Sequence, residues 1–262
     1  MLNVHSTKQE LLLASKWIAY NELAWTEGWL ADPAEHEKEV MMYVELIQSS
    51  AAEIPRTLLH MGSGAGSHDS VFKRFFTVTG VDLSRGMLNE ARAAHPDIEY
   101  LEDDMRTLRL NRFFDAIVIP DSIDYMASLV DLQQAIHTAV EHLKKGGVLL
   151  VVGKTQETFQ NNNFAYTGEK NDVHVTVFEN NYINPLRPNT YEATLVYLIR
   201  RQGELTIHTD RHVLGLFPKA AWDRVLKDAG LKVQHLVLDG IYDKYLLDRG
   251  EYPLTVFLGQ KL

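Results

Sequence analysis

The stretch Thr57 to Asp69, TLLHMGSGAGSHD, constrains this chain more than any other. An apolar run breaks into three glycines spaced two apart, Gly62, Gly64 and Gly66, and a helical pattern follows. That order predicts a strand, a tight loop and a helix. Glycine lets the backbone take positive φ and lets a ligand lie against the main chain, while the next helix start offers unpaired N–H groups. Glycine-rich turns of this kind serve phosphate loops, dinucleotide folds and plain tight turns alike. No Gly-Lys-Ser/Thr follows, which argues against a Walker-type loop, and Ser67 stands where GxGxxG needs its last glycine. A cofactor cradle and a structural turn remain the two readings.

At 262 residues the chain can bury one substantial core with an elaboration. The net charge of −9, from 26 basic and 35 acidic residues, disfavours a nucleic-acid partner, because such binding rests on phosphate neutralisation by Lys and Arg. No cysteine is present, so disulfides, thiolate metal sites and a Cys nucleophile are removed together. That fits a cytoplasmic setting. The N-terminal apolar stretch is only four residues, Leu11 to Ala14, so neither a signal peptide nor a membrane span is expected.

Residues 1–52 read as helical, broken near Ala31-Asp32-Pro33, with Val40, Tyr43, Val44, Ile47 and Ala51 at helical spacing. Trp17, Tyr20, Trp25 and Trp29 precede the break, either packing a lid on the core or covering a ligand. After the glycine loop a helix is expected to turn Val71, Phe72, Phe75 and Phe76 inward. A strand over 78–81 then ends at Asp82, and Ser84 can cap a helix with Met87, Leu88 and Ala91 inside. Two βα units in succession imply a parallel sheet with right-handed crossovers, which sets Asp82 beside the glycine loop at the carboxyl edge. A carboxylate there can accept hydrogen bonds from two ribose hydroxyls; its bland alternative is a capping or loop aspartate.

A third strand, 98–101, runs into Asp104 and Met105, a carboxylate and a thioether that suit a purine amine and ring face, or else form a solvated turn. The run FFDAIVI over 113–119 reads as a buried parallel strand ending at Pro120-Asp121-Ser122-Ile123-Asp124-Tyr125. A helix striped by Leu129, Leu132, Ile136, Val140 and Leu143 follows, with Lys144 and Lys145 in its last turn and Gly146-Gly147 as its stop, then a fifth strand over 148–152. Beyond residue 156 the rhythm changes to β-rich segments at 174–178, 190–200 and 204–213, with Gln202-Gly203 as a hairpin turn. These predict an antiparallel insertion walling a substrate pocket. The polar stretch 158–172, with three consecutive Asn, is expected to be mobile. A helix from Pro218 to Gly230 and strands over 231–238 and 254–258 close the chain.

These motifs together resemble the class I S-adenosylmethionine-dependent methyltransferases, strongly over residues 38–152 and more loosely over 204–260. LLHMGSGAGSH, TGVDLSRGMLNEAR, YLEDDMRTLRL and FFDAIVIPDSIDYM carry the likeness, with HLKKGGVLLVV after them. The Asp-Met-Arg triplet, Ser-Ile-x-Tyr and RHVLGLFP are similar to small-molecule N-methyltransferases that dimethylate amino sugars. The resemblance implies an α/β fold: a Rossmann-like seven-stranded, mostly parallel sheet with helices on both faces, an antiparallel β insertion and an N-terminal helical lid. The expected segments are a lid (1–52), a cofactor-binding core (53–155), the insertion (156–216) and the rest of the core (217–262).

Carried over by position, Gly62, Ser63, Gly64 and Gly66 would line the methionine and ribose side of S-adenosylmethionine, and Asp82 would hold the ribose hydroxyls. Leu83 and Met87 would flank the adenine, Asp104 and Met105 would contact its amine and face, and Pro120 to Ser122 would border the sulfonium. The family usually opens its first motif with Asp or Glu, where this chain has His60, read as a buried structural histidine or an altered cofactor contact.

Methyl transfer from a sulfonium is an in-line displacement, helped mainly by positioning and by exclusion of water, and a base is needed only for a protonated amine or a hydroxyl acceptor. His212 is the leading candidate base, with Tyr20, Asp121 and Tyr125 as further positioning or basic groups. No metal is expected, because HExxH is absent and His208 and His212 lack a third ligand. The expected product is S-adenosylhomocysteine, and the expected partner is a small-molecule methyl acceptor, an amine, with neither nucleic acid nor membrane. A homodimer stays open, as do an O-methyltransferase and a cofactor binder that methylates nothing.

Overall fold

The computed structural model describes residues 17–30, 33–249 and 251–262, so the helical reading of residues 1–16 and the break at 31 and 32 lie outside the described residues. Seven strands form one sheet in the order β10-β11-β5-β4-β1-β2-β3. They are β1 (Thr57–Met61), β2 (Thr77–Asp82), β3 (Glu99–Glu102), β4 (Phe114–Pro120), β5 (Leu143–Gly153), β10 (Leu231–Leu238) and β11 (Leu254–Lys261). Strands β1 to β5 run parallel, while β11 is antiparallel to both β5 and β10.

Successive side chains of a strand face opposite ways, so a sheet covered on both sides needs nearly continuous apolar runs. In β4, Ile117 and Ile119 pack with Leu132, Ile136 and Trp222 from α5 (Leu129–His142) and α6 (Lys219–Asp228). Ala116 and Val118 face the other way, toward Val40, Tyr43 and Ile47 of α2 (Pro33–Ser50), with Leu88 and Ala91 of α4 (Arg85–Ala94) in the same layer. Two shorter α-helices lie among the described residues, α1 (Glu27–Leu30) and α3 (Asp69–Phe72). No helix among the described residues is long and apolar enough to cross a membrane.

A second, antiparallel sheet lies between the halves of the core sequence: β6 (Asn162–Lys170), β7 (Val173–Tyr182), β8 (Thr190–Arg201) and β9 (Glu204–Gly215), neighbours in chain order. It leaves and rejoins the core at one neck, where Thr155 bridges Phe217 and Gln156 N–H donates to the Phe217 carbonyl at 3.1 Å.

Four local expectations are corrected. The stretch 158–172 contains strand β6, whose Asn162 and Asn163 pair with Asn181 and Asn180, and Asn171 and Asp172 take φ of 50° and 59° to turn the chain back into β7. That is the hairpin geometry the polar composition concealed. Phe75 is 36% exposed because α3 ends at Phe72 and the chain turns before it. Leu129, at the mouth of α5, also faces out. Lys144 and Lys145 lie in β5 rather than the last turn of α5, which stops at His142, and Lys144 Nζ reaches Asp115 at 2.7 Å.

Residues 17–30 pack their Ala19, Leu23, Trp25 and Trp29 against Val173, Val175, Val177 and Tyr197 of the second sheet, so the aromatic group rests on the insertion. A side chain at Gly168 would sit 2.3 Å from the Trp29 carbonyl oxygen. Gly168→Ala is therefore expected to destabilise by about 1–3 kcal/mol through overpacking and to shift tryptophan fluorescence to the red; an unchanged melting temperature and spectrum would refute this packing.

Candidate active site

The carboxyl ends of β1 to β5 meet where strand order reverses between β4 and β1, the place where open α/β sheets form a crevice. Gly62, Gly64 and Gly66 take φ of +74°, +55° and +79°, so the loop's path needs residues free to enter the left-handed region. A Cβ at Gly62 would lie 2.1 Å from Ser122 Oγ and 3.3 Å from Met105 Cε. The turns after β1, β3 and β4 thus touch at a single glycine. The turn after β2 joins through Asp82, whose Oδ2 accepts from Gly64 N–H at 2.8 Å and whose Oδ1 accepts from Ser84 N–H at 2.7 Å. Burial pushes the Asp82 carboxyl up, against the pull of those N–H donors.

The other residues expected at the cofactor sit on the same edge. Met87 is 3% exposed on α4, whose first turn Ser84 caps by accepting from Met87 N–H at 3.3 Å. Leu83 is half-buried beside it, and Pro120 is buried at the end of β4. Asp104 is engaged by a neighbour: Arg106 holds its two oxygens, with Nη2 2.7 Å from Oδ2, and reaches on to Asp131. His60 takes the buried structural role: 1% exposed, its Nδ1 is 2.7 Å from Asp69 Oδ1, and Asp69 Oδ2 accepts from the Tyr100 hydroxyl at 2.9 Å.

Three of the four candidate catalytic residues form one chain. Tyr20 and Tyr125 hydroxyls are 2.5 Å apart, Tyr125 Oη is 2.5 Å from His212 Nδ1, and His212 Nε2 lies 3.1 Å from Asp210 Oδ2, an ion-pair contact off the linear hydrogen-bond direction. The Asp210 carboxylate beside Nε2 favours the tautomer with its proton there, in which Nδ1 accepts from Tyr125 and Tyr125 accepts from Tyr20. Burial raises both tyrosines, so both stay protonated donors. Although burial pushes Asp210 up, the His212 and Ala19 N–H donors hold it below the usual carboxylate range. Trp17 stacks on His212 with centroids 4.9 Å apart and planes at 28°. Tyr20 also touches the carboxyl edge beside Asp82, where its carbonyl accepts from Ser84 Oγ at 2.5 Å.

Asp121 stands apart from that chain. It adopts φ 53°, unusual for a residue with a side chain, and lies 3.7 Å from Lys154 Nζ, which is 2.9 Å from Asp124 Oδ2. Lys154, Asp124, Asp210 and Glu27 were not singled out from sequence. Of these only Asp210 carried a signal, since it lies two residues from His212 in a strand and must share its face.

The segment 58–147 matches a family described as "Methyltransferase domain". Across most of its length the chain is similar to the dTDP-3-amino-3,4,6-trideoxy-alpha-D-glucopyranose N,N-dimethyltransferase of Streptomyces venezuelae, at 28% identity covering 79% of this chain and 88% of the relative. The dTDP-3-amino-3,6-dideoxy-alpha-D-glucopyranose N,N-dimethyltransferase of Streptomyces fradiae is 29% identical over 69% of this chain and 71% of the relative. Among solved structures, Streptomyces venezuelae DesVI superposes with a TM-score of 0.75 at 26% identity, covering 87% of this chain and 92% of that one. The chain is an S-adenosylmethionine-dependent methyltransferase whose methyltransferase domain spans residues 58–147.

The residues of this methyltransferase fit its cofactor. Ser63 Oγ is buried with no hydrogen-bond partner among the described residues, and each Asp82 oxygen keeps a lone pair for a ribose hydroxyl. Among the described residues one trio of possible ligands gathers, two histidines and a glutamate, His36, Glu39 and His68, with ligand atoms within 4.8 Å of one another. Its two rings stack with centroids 4.3 Å apart and planes at 21°, so one ion cannot lie in both ring planes as packed.

Glu27 rests on the glycine loop, its carboxylate 3.4 Å from where a Gly64 Cβ would be, accepting from Ala65 N–H and from Ser67 Oγ at 3.4 Å. Burial, then the Asp82 charge, push it from 4.5 to about 7. Burial likewise lifts Glu39 to about 7. A carboxyl with a raised folded pKa favours the fold below its unfolded pKa, and that advantage is lost as pH rises through the folded value. The cofactor-free enzyme is thus expected to lose stability between pH 4.5 and about 7. Glu27→Gln should flatten this slope and raise the melting temperature at pH 8 by roughly 2–4 °C per kcal/mol relieved; identical melting profiles from pH 4.5 to 8 would refute the assignment.

Proposed function

We propose that the enzyme methylates the amine nitrogen of a nucleotide-linked amino sugar. The Streptomyces relatives support this acceptor class, since both carry names of N,N-dimethyltransferases acting on dTDP-linked amino sugars. The observation that carries the chemistry is the chain Tyr20–Tyr125–His212–Asp210, which starts at the Asp82 edge and ends in a buried imidazole beside a carboxylate.

When bound, S-adenosylmethionine supplies a methyl group on a sulfonium, open to in-line displacement. Gly62, Ser63, Gly64 and Gly66 would line its methionine and ribose side, and Asp82 would accept from the ribose hydroxyls. Leu83 and Met87 would flank the adenine, Asp104 and Met105 would contact its amine and face, and Pro120 and Ser122 would border the sulfonium. An amine that arrives as ammonium has no lone pair to attack with. Tyr20 accepts one of its protons as Tyr20 passes its own to Tyr125 and Tyr125 passes its own to His212 Nδ1. The resulting imidazolium is stabilised by Asp210. Asp121 borders the acceptor near Lys154 and stays outside the proton path.

Transfer of labelled methyl to dTDP-3-amino-3,4,6-trideoxyglucose, read by mass spectrometry, tests the reading; a protein that binds S-adenosylmethionine yet labels no amine of a dTDP-amino-sugar panel would be a binder or would serve another acceptor. Asp82→Ala should weaken S-adenosylmethionine binding about tenfold or more in calorimetry, from loss of hydrogen bonds to a charged acceptor worth about 1.5–3 kcal/mol each; unchanged affinity would remove Asp82 from the site. His212→Asn should lower kcat about 100-fold at neutral pH and recover where the acceptor amine is already deprotonated. A loss constant across pH would show that His212 is not the proton acceptor.

A further inference from the structure

Charge on the inner face of the second sheet is not balanced. Register places Phe164, Glu179, Leu195 and Asp210 in one row across β6 to β9, and Asn162, Asn181, Ala193 and His212 in the next. In β7 the alternate residues Val173, Val175, Val177 and Asn181 are buried, so Glu179 belongs to the inward face. Asp210 has His212 beside it. Glu179 has only neutral donors: Asn181 Nδ2 at 2.8 Å and the Tyr166 hydroxyl. Among the described residues no Lys, Arg or His comes within ion-pair distance of it. Lys154, the buried cation at the end of β5, is already matched by Asp124 at 2.9 Å and Asp121 at 3.7 Å. With Glu179 counted, three carboxylates stand against one ammonium.

Several phenols feel the charge of Glu179. Tyr166 donates to it, and Tyr20, Tyr125, Tyr191 and Tyr252 lie within reach of its charge, which adds to burial in keeping all of them protonated. Two of these rings already face a cation: Lys154 Nζ is 5.7 Å from the centroids of both Tyr191 and Tyr252. A neutral phenol ring attracts a cation through its quadrupole, and an unpaired carboxylate in such surroundings gains most from a ligand carrying positive charge.

We propose that Glu179, held by Asn181 and Tyr166 on the inner face of the second sheet, is the subsite that receives the acceptor nitrogen as a cation and so selects an alkylamine over the corresponding alcohol. This rests on the reading that the acceptor is an amine, and it adds the residue that makes the choice. The charge at nitrogen supports such a subsite on both sides of the reaction. The entering ammonium gives one proton to the Tyr20–Tyr125–His212 chain and attacks with the freed lone pair. As the N–CH3 bond forms, the C–S bond breaks with its electron pair left on sulfur, and the nitrogen is again a cation. An alcohol is neutral on entry, so Glu179 does not favour its binding.

Two titrations at pH 7 test the assignment, both with enzyme saturated in S-adenosylhomocysteine. The first uses tetramethylammonium against sodium at equal ionic strength, followed by intrinsic fluorescence. The second compares dTDP-3-amino-3,4,6-trideoxyglucose with its 3-hydroxy counterpart by calorimetry. Wild type is expected to bind tetramethylammonium, and Glu179→Gln to weaken it about tenfold or more with S-adenosylhomocysteine affinity unchanged; Glu179→Asp should keep part of the binding. Tetramethylammonium bound equally by Glu179→Gln, or not bound by wild type, overturns the subsite whatever the second titration gives. If the cation binds as expected but neither dTDP-sugar binds, the subsite stands and the nucleotide-sugar acceptor falls. A preference for amine over hydroxyl that survives in Glu179→Gln assigns the selection elsewhere and also overturns the proposal.

Discussion

Tyr20 is where the two halves of the site are joined. Its carbonyl accepts from Ser84, the cap of the helix that follows Asp82, and its hydroxyl begins the chain that ends at Asp210 on the second sheet. One residue therefore couples the parallel sheet's carboxyl edge to the antiparallel roof. A Cβ at Gly86 would fall 2.5 Å from the same Tyr20 carbonyl oxygen, so the main chain around residue 20 lies directly on the start of α4. Position along this line is set by backbone as much as by side chains, and backbone contacts are stiffer than those of flexible ends.

The buried carboxyl groups give that edge its electrostatic character. Glu27, Glu39, Asp82 and Asp124 are all raised by burial, and among the described residues only Asp124 has a lysine at hand. A site that holds several partly desolvated acids is less stable empty than it is with a cation inside, because any ligand that binds the folded state alone adds to stability. Any cation taken up there is linked to folding through groups that perturb each other.

Sequence reading succeeded where residue type alone imposes geometry. Three glycines needing positive φ, a carboxylate after an apolar strand and a serine cap are local facts, and Gly62, Gly64, Gly66, Asp82 and Ser84 fell where that logic put them. It failed where tertiary pairing overrides composition. The strand holding Asn162 and Asn163 looked too polar to be ordered, yet its amides meet Asn180 and Asn181 across the ladder. Glu27 and Lys154 could not be found from pattern, because their neighbours lie dozens of residues away and no spacing in the chain encodes that proximity. Asp104 shows an intermediate case: its place on the edge was legible, but its grip by Arg106 two residues later was not.

The neck at Thr155 and Phe217 has a consequence for how such proteins diversify. Because the four-stranded sheet departs and returns through adjacent positions, its sixty or so residues form a cassette hung on a continuous core. Residues on its inner face can change without disturbing any strand of the seven-stranded sheet. The glycine loop and the antiparallel roof are thereby written on separable lengths of polypeptide, so one can drift while the other is held still.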